Sequence, residues 1–179
     1  RYPTPITLTR TTHVKARTLS GSTWSALNEA TFAVGPVAEN LRITEIMYHP
    51  PDTGSPNDHN KEYIELKNIG SETINLNLVR FTNGVDFTFP SIELPAAKYI
   101  LVVKDQAAFS AQYPNFSGLI AGKYSGSLAN EGERIRLEDA VGQTILDFKY
   151  SDTWREITDG QGFSLTIINP ANPDANSWG

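Results

Sequence analysis

Hydrophobic and polar residues alternate in several short segments of this chain. Residues 134–138 (RIRLE), 146–150 (LDFKY) and 163–167 (FSLTI) each carry apolar side chains at every second position. Because successive side chains of a β-strand point to opposite sides, this period of two directs one face to a core and the other to water. Turn-forming residues separate the segments, so the pattern predicts an all-β fold.

Two segments depart from simple alternation. Residues 99–103 (YILVV) are apolar throughout, which predicts a strand covered on both faces. Residues 105–112 are rich in alanine and are followed by Pro114. Alanine favours helix and proline ends it, so one short helix is expected there. The spacing of the short strands predicts a two-sheet sandwich.

Residues 41–70 carry the most specific pattern in the chain. Two strand-like runs, residues 41–48 and 61–69, enclose the loop of residues 49–60. The loop is rich in proline, aspartate, asparagine and histidine, which are turn-forming and polar residues. The segment therefore predicts two strands joined by a long polar loop.

Glu45 is the unusual residue of the first run. It is in phase with Leu41, Ile43 and Met47, so strict alternation would direct it to the core. A buried carboxylate needs a partner or several hydrogen bonds. A β-bulge would instead turn Ile46 to the core and Glu45 to the surface. Both arrangements stay open, and in either one we expect Glu45 to support the fold.

These two runs resemble the opening of the lamin tail domain, through ITEIMY at residues 43–48 and EYIELKN at residues 62–68. Four later segments resemble the same family: LPAAKYILVVK at 94–104, LANEGERIRLED at 128–139, GQTILDFKY at 142–150 and residues 162–168. The resemblance implies an immunoglobulin-like β-sandwich over residues 41–179. It implies a fold and no particular activity.

Residues 1–34 resemble the last strands of the C-terminal β module of chitobiase and β-hexosaminidase-type proteins. The residues that carry the resemblance are PITL at 5–8, VKAR at 14–17, WS at 24–25 and EATF at 29–32. The family's earlier strands are missing, so we expect a truncated module with unpaired edges and an exposed apolar face. Residues 35–40 (GPVAEN) are predicted to be a linker. This organisation predicts a segment of a longer, multi-module bacterial protein.

Charge and composition narrow the function classes. Residues 1–40 carry four basic and two acidic groups, and the remainder carries eleven basic and eighteen acidic groups, which gives the total of −5. A net-acidic domain is a poor ligand for nucleic acid or anionic membranes. The chain has no cysteine, which excludes disulfides and zinc–thiolate sites. No run of about twenty apolar residues is present, so membrane insertion is not expected.

The polar loop and its flank supply the candidate metal ligands Asp52, Asp58 and Glu62. Calcium takes six to eight oxygen ligands, which loops of this composition can provide. The spacing matches neither the EF-hand loop nor a helical pair of zinc-binding histidines. The alternative is a solvated loop stiffened by its prolines, with aspartate and asparagine making local turns.

Aromatic residues supply a second candidate site. Trp154 lies in a polar loop, and Tyr124 flanks the glycine- and serine-rich connection of residues 113–127. Exposed aromatic rings at these positions would bind glycan by stacking on sugar rings. The alternative is that Trp154 closes the open end of the sandwich.

The sequence contains no pattern of catalytic residues that specifies a reaction. Glu62 shares its phase with Ile64, whereas Glu65 points to the opposite side with Tyr63, so these two carboxylates do not form a glycosidase pair. No Gly-x-Ser-x-Gly motif is present, and the only histidines are His13, His49 and His59.

We therefore expect a non-catalytic accessory module of a secreted or cell-surface bacterial protein, without a cofactor. It would serve as a spacer, an adhesion domain or a protein-interaction domain. Neighbouring domains of the same chain, or a cell-surface protein or glycan, would be its partners. The alternative is a ligand-binding module for glycan or calcium.

Overall fold

The computed structural model describes residues 4–171 and 177–179. Residues 1–3 of the predicted N-terminal module and residues 172–176 of the predicted C-terminal domain lie outside the described residues. The strands are β1 (Thr12–Ala16), β2 (Leu19–Ser20), β3 (Thr23–Trp24), β4 (Asn28–Phe32), β5 (Leu41–Met47), β6 (Tyr63–Asn68), β7 (Ile74–Asn75), β8 (Arg80–Asn83), β9 (Phe87–Thr88), β10 (Glu93–Leu94), β11 (Tyr99–Val103), β12 (Leu119–Lys123), β13 (Arg134–Glu138), β14 (Thr144–Lys149) and β15 (Leu165–Thr166).

Helical segments are short. The α-helices are α1 (Val37–Asn40) and α2 (Gln106–Gln112), and 3₁₀ turns cover Asp58–Lys61, Asp152–Trp154 and Glu156–Thr158. Neither α-helix of the described residues is long and apolar enough to cross a membrane.

Two main sheets pack face to face. One has five strands in the order β12-β11-β6-β5-β15, antiparallel except for the parallel pair β11 and β12. The other has four strands in the order β14-β13-β8-β9, all antiparallel. Apolar side chains from both sheets form one core, which includes Ile43, Ile64, Phe81, Ile135 and Leu137. The predicted all-β sandwich is confirmed.

The outer face of the five-stranded sheet has a smaller core of its own under α2. Asp105 caps this helix by accepting a hydrogen bond from the Ala108 amide at 3.0 Å, and the helix ends before Pro114, as predicted. Phe109 of the helix packs with Leu101 and Val103 of β11, together with Met47 and Tyr63. Strand β11 is therefore covered on both faces from Ile100 to Val103, as predicted, whereas the prediction was wrong for Tyr99, which is 45% exposed.

A β-bulge in β5 decides the direction of Glu45. The register between β5 and β6 shifts between Ile43 and Glu45, so that Ile46 is fully buried and Glu45 lies opposite Glu65. The extra residue, Thr44, moves Glu45 from the phase of Ile43 to the outer face of the sheet. The bulge arrangement is thus the correct one of the two that the sequence left open.

Residues 12–32 form a separate two-stranded ribbon. Strands β1 and β4 pair antiparallel, and β2 and β3 form a short hairpin at the far end. The ribbon joins the sandwich through Thr11, whose carbonyl accepts a hydrogen bond from Asn77 Nδ2 at 3.0 Å. The predicted linker contains α1, whose Val37 is buried in the main core.

Candidate functional site

The predicted calcium ligands have different surroundings. The carboxylate of Asp58 accepts hydrogen bonds from the Thr53 amide at 2.7 Å, the Ser55 amide at 3.2 Å and Lys61 Nζ at 2.9 Å. The Lys61 ammonium and these loop donors hold the pKa of Asp58 well below its usual range. Asp52, in contrast, accepts a bond from the Gly54 amide at 2.9 Å on the exposed side of the loop. Asp58 therefore organises the loop that contains it.

Glu62 faces the opposite way, into the protein. Its carboxylate is 1% exposed and accepts hydrogen bonds from the Tyr124 hydroxyl and the Leu128 amide, both at 2.9 Å. Burial raises the pKa of Glu62, and the two hydrogen bonds oppose that shift. Two residues that the sequence assigned to separate roles, Glu62 and Tyr124, are thus hydrogen-bonded to each other.

Within residues 4–171 and 177–179, no three histidine, aspartate or glutamate side chains are grouped so that they could hold a metal ion. Ligation by Asp52, Asp58 and Glu62 together would require Asp58 and Glu62 to exchange their hydrogen bonds for metal contacts. Calcium binding stays a prediction.

The two predicted sugar-stacking residues also differ. The Tyr124 ring is 1% exposed and offers no open face, whereas Trp154 is partly buried against the main core. The Trp154 ring lies 6.5 Å from that of Trp178, with 31° between the ring planes. Stacking on a glycan would therefore fall to Trp154, and glycan binding stays a prediction.

A pocket on the outer face of the five-stranded sheet was not predicted from the sequence. We call it the acidic–aromatic pocket; its volume is about 240 Å³, and it is lined by Glu45, Tyr63, Glu65, Leu101, Phe109, Tyr113 and Phe116. The bulge in β5 supplies Glu45, and the segment of α2 and the residues after it supplies three of the aromatic rings. Neither contribution is visible in a local sequence pattern.

The two carboxylates of this pocket have few partners. Glu45 accepts hydrogen bonds from the hydroxyls of Tyr63 and Ser164, and Glu65 accepts one from the Thr44 hydroxyl at 2.7 Å. Glu45 and Glu65 stand directly opposite each other on β5 and β6. Like charges in such a position repel each other, so the pocket concentrates negative charge.

Replacing Glu65 by glutamine is expected to stabilise the protein by about 0.2–1 kcal/mol at about pH 7, the range for a cross-strand charge pair. Burial raises the pKa of Glu65 above its ordinary value of 4.5, and the charge of Glu45 adds to that shift. The protonated Glu65 carboxyl therefore makes its full contribution to stability below pH 4.5, its ordinary pKa. That contribution is lost as the pH rises through the folded-state pKa.

The gain from Glu65→Gln should accordingly disappear at about pH 4, where the carboxyl is protonated in both states. Urea denaturation at the two pH values measures the difference. Glu131→Gln, at an exposed position, is the matched control and should show no such change. An equal gain at both pH values would exclude ionisation of Glu65 as its cause.

A family model described as the Lamin Tail Domain matches residues 35–152, which is more than half of the chain. No curated protein and no solved structure matches this chain. The matched range begins in the predicted linker and includes strands β5 to β14. Strand β15, which completes the five-stranded sheet, follows the matched range.

Proposed function

This chain belongs to the lamin tail domain family, a family of non-enzymatic domains with an immunoglobulin-like fold, and we propose that it is an accessory module of a larger secreted or cell-surface bacterial protein. Its proposed role is to contact a neighbouring domain of the same polypeptide and hold it in position. The ribbon of residues 12–32, with its exposed apolar side chains, is the observation that carries this proposal.

The ribbon exposes several large apolar side chains. Four of them are between 48% and 52% exposed: Leu19, Trp24, Leu27 and Phe32. Isolated exposed apolar residues are ordinary, but a group of them marks a contact surface. In the described part of the chain, β1 pairs only with β4, so both strands keep a free edge. Free edges and apolar side chains together favour a protein partner.

Charge favours the same kind of partner. In the described residues of the ribbon, Lys15 is paired with Glu29 at 3.3 Å, and Arg17 has no acidic partner there; the Arg17 guanidinium lies 4.4 Å from the centre of the Trp24 ring. An apolar partner surface with acidic groups at its margin would complement this arrangement. The sandwich is net acidic, which argues against a nucleic-acid partner.

Hydrogen exchange tests this role. In the parent polypeptide, the amides of residues 12–32 should exchange roughly tenfold or more slowly than in the chain of residues 1–179, because a bound domain would cover the ribbon. The amides of β6, in the centre of the five-stranded sheet, are the internal control and should exchange equally in both. Equal exchange of the ribbon in the two proteins would contradict the proposed contact.

A further inference from the structure

The acidic–aromatic pocket combines aromatic rings with two carboxylates on the outer face of the five-stranded sheet. Its walls are aromatic: the Tyr63 and Phe109 rings are 5.5 Å apart, Tyr63 and Tyr113 are 5.8 Å apart, and Phe109 and Phe116 are 5.2 Å apart, all in edge-to-face contact. Its sheet side carries the two carboxylates, Glu45 and Glu65. Aromatic faces and carboxylates both attract organic cations.

No cation of the described residues is in ion-pair contact with either carboxylate of the pocket, and Lys67 acts on Glu65 only at longer range. Among the ion pairs of the described residues, none involves Glu45 or Glu65. The two lysines nearest in the sequence have other contacts: Lys67 Nζ lies 4.6 Å from the centre of the Tyr99 ring, and Lys61 Nζ is hydrogen-bonded to Asp58 at 2.9 Å. A positive group from outside would therefore meet two carboxylates without a cationic partner.

Each carboxylate also keeps acceptor capacity. In the described contacts, both hydroxyls that bind Glu45 and the one that binds Glu65 reach Oε1, so the Oε2 atom of each residue has no donor. An ammonium group has three donors, or none when fully methylated. The unmethylated ammonium would donate hydrogen bonds to the carboxylate oxygens. The fully methylated ammonium would be held by the aromatic faces and by its attraction to the negative charge.

Size limits the ligand further. A volume of about 240 Å³ is below the range of about 300–1,000 Å³ that drug-sized ligands occupy. The volume suits a head group at the end of a flexible chain. Phe116 is the most exposed residue of the lining, at 38%, so a chain entering from solvent is expected to pass beside its ring.

We propose that the acidic–aromatic pocket binds an alkylammonium group, the side-chain ammonium of a lysine, methylated or not, presented by a protein partner. The carboxylates supply the attraction, and the rings of Tyr113 and Phe116, which are more exposed than that of Tyr63, border the cation. The site is separate from the ribbon, so the two contacts can be tested independently.

Titration of the isotope-labelled chain of residues 1–179, followed by backbone amide NMR signals, tests the proposal. The probes are the blocked amino acids N-acetyl-lysine methylamide and its trimethylated form, with the norleucine analogue, which has the same carbon chain without the amino group, as a neutral control. We expect saturable shifts at residues around Glu65 and Phe116, with dissociation constants on the order of 1 mM. The norleucine probe should produce no saturable shift there.

Two variants assign the binding to the pocket. Glu65→Gln should weaken binding of both lysine probes by roughly fivefold or more, and its expected higher stability excludes unfolding as the cause. Phe116→Ala should weaken the trimethylated probe more than the unmethylated one. Glu131→Gln, which removes an exposed carboxylate elsewhere, should bind as the wild type does.

Three results would overturn the proposal. The first is equal binding of the lysine and norleucine probes, because charge would then play no part. The second is unchanged binding by Glu65→Gln. The third is binding of choline tenfold tighter than of either lysine probe, which would assign the pocket to a small free cation instead of a protein side chain.

Discussion

Replacing Trp178 by alanine is expected to lower the free energy of unfolding by about 3–5 kcal/mol. Trp178 is 2% exposed, its ring stacks on that of Phe148 at 5.3 Å with 21° between the planes, and its backbone forms a bridge to Ile167. Removing the side chain would leave a cavity between the edge of the five-stranded sheet and the second sheet. Urea denaturation followed by circular dichroism measures the loss.

Trp24→Ala provides the matched control, since it removes the same side chain from an exposed position in the ribbon. Its effect should stay within about 0.5 kcal/mol. Equal losses from the two variants would contradict the burial of Trp178. The comparison also tests whether residues after the matched range of 35–152 are part of the folded domain.

Replacing Glu62 by alanine is expected to cost about 3 kcal/mol. The change would leave two buried donors, the Tyr124 hydroxyl and the Leu128 amide, without an acceptor, and each such loss costs about 1–3 kcal/mol. These hydrogen bonds tie Glu62, the residue before β6, to the segment between β12 and β13, so the two layers of the sandwich would be less firmly joined. Chemical denaturation again measures the change.

Glu62→Gln separates the hydrogen bonds from the charge. The amide oxygen keeps an acceptor and the amide carries no charge at any pH, so a loss of only about 1 kcal/mol is expected. Glu131→Ala is the control for loss of an exposed carboxylate and should have an effect within about 0.5 kcal/mol. A loss of stability from Glu62→Gln as large as that from Glu62→Ala would contradict the explanation that the missing hydrogen-bond acceptor causes the loss.

Local patterns in the sequence predicted most of the framework. Helix α2 was visible because alanine-rich residues stand before Pro114, and β13 was visible because its charged residues alternate with Ile135 and Leu137, which are fully buried. Alternation was a weaker guide near the C-terminus. There Leu165 and Ile167 are buried as predicted, but the prediction was wrong for Phe163, which is 57% exposed beside the short strand β15.

The functional residues were harder to predict, because their partners are distant in the sequence. The phase of Glu62 with Ile64 placed it towards the core, but Tyr124 is 62 residues away and Leu128 is 66 residues away. The direction of Glu45 depended on its register with β6, which no period within β5 reveals. The acidic–aromatic pocket required both that register and the packing of α2.

The bulge at Thr44 has a consequence for how this strand tolerates changes in length. Deleting Thr44 would restore strict alternation and keep Ile46 inward and Glu45 outward, because Thr44 is the residue without a pairing partner on β6. The strand can therefore lose this residue without exchanging the environments of Glu45 and Ile46. Pairing without the bulge, with Thr44 retained, is what would turn Glu45 towards the apolar core and Ile46 towards solvent.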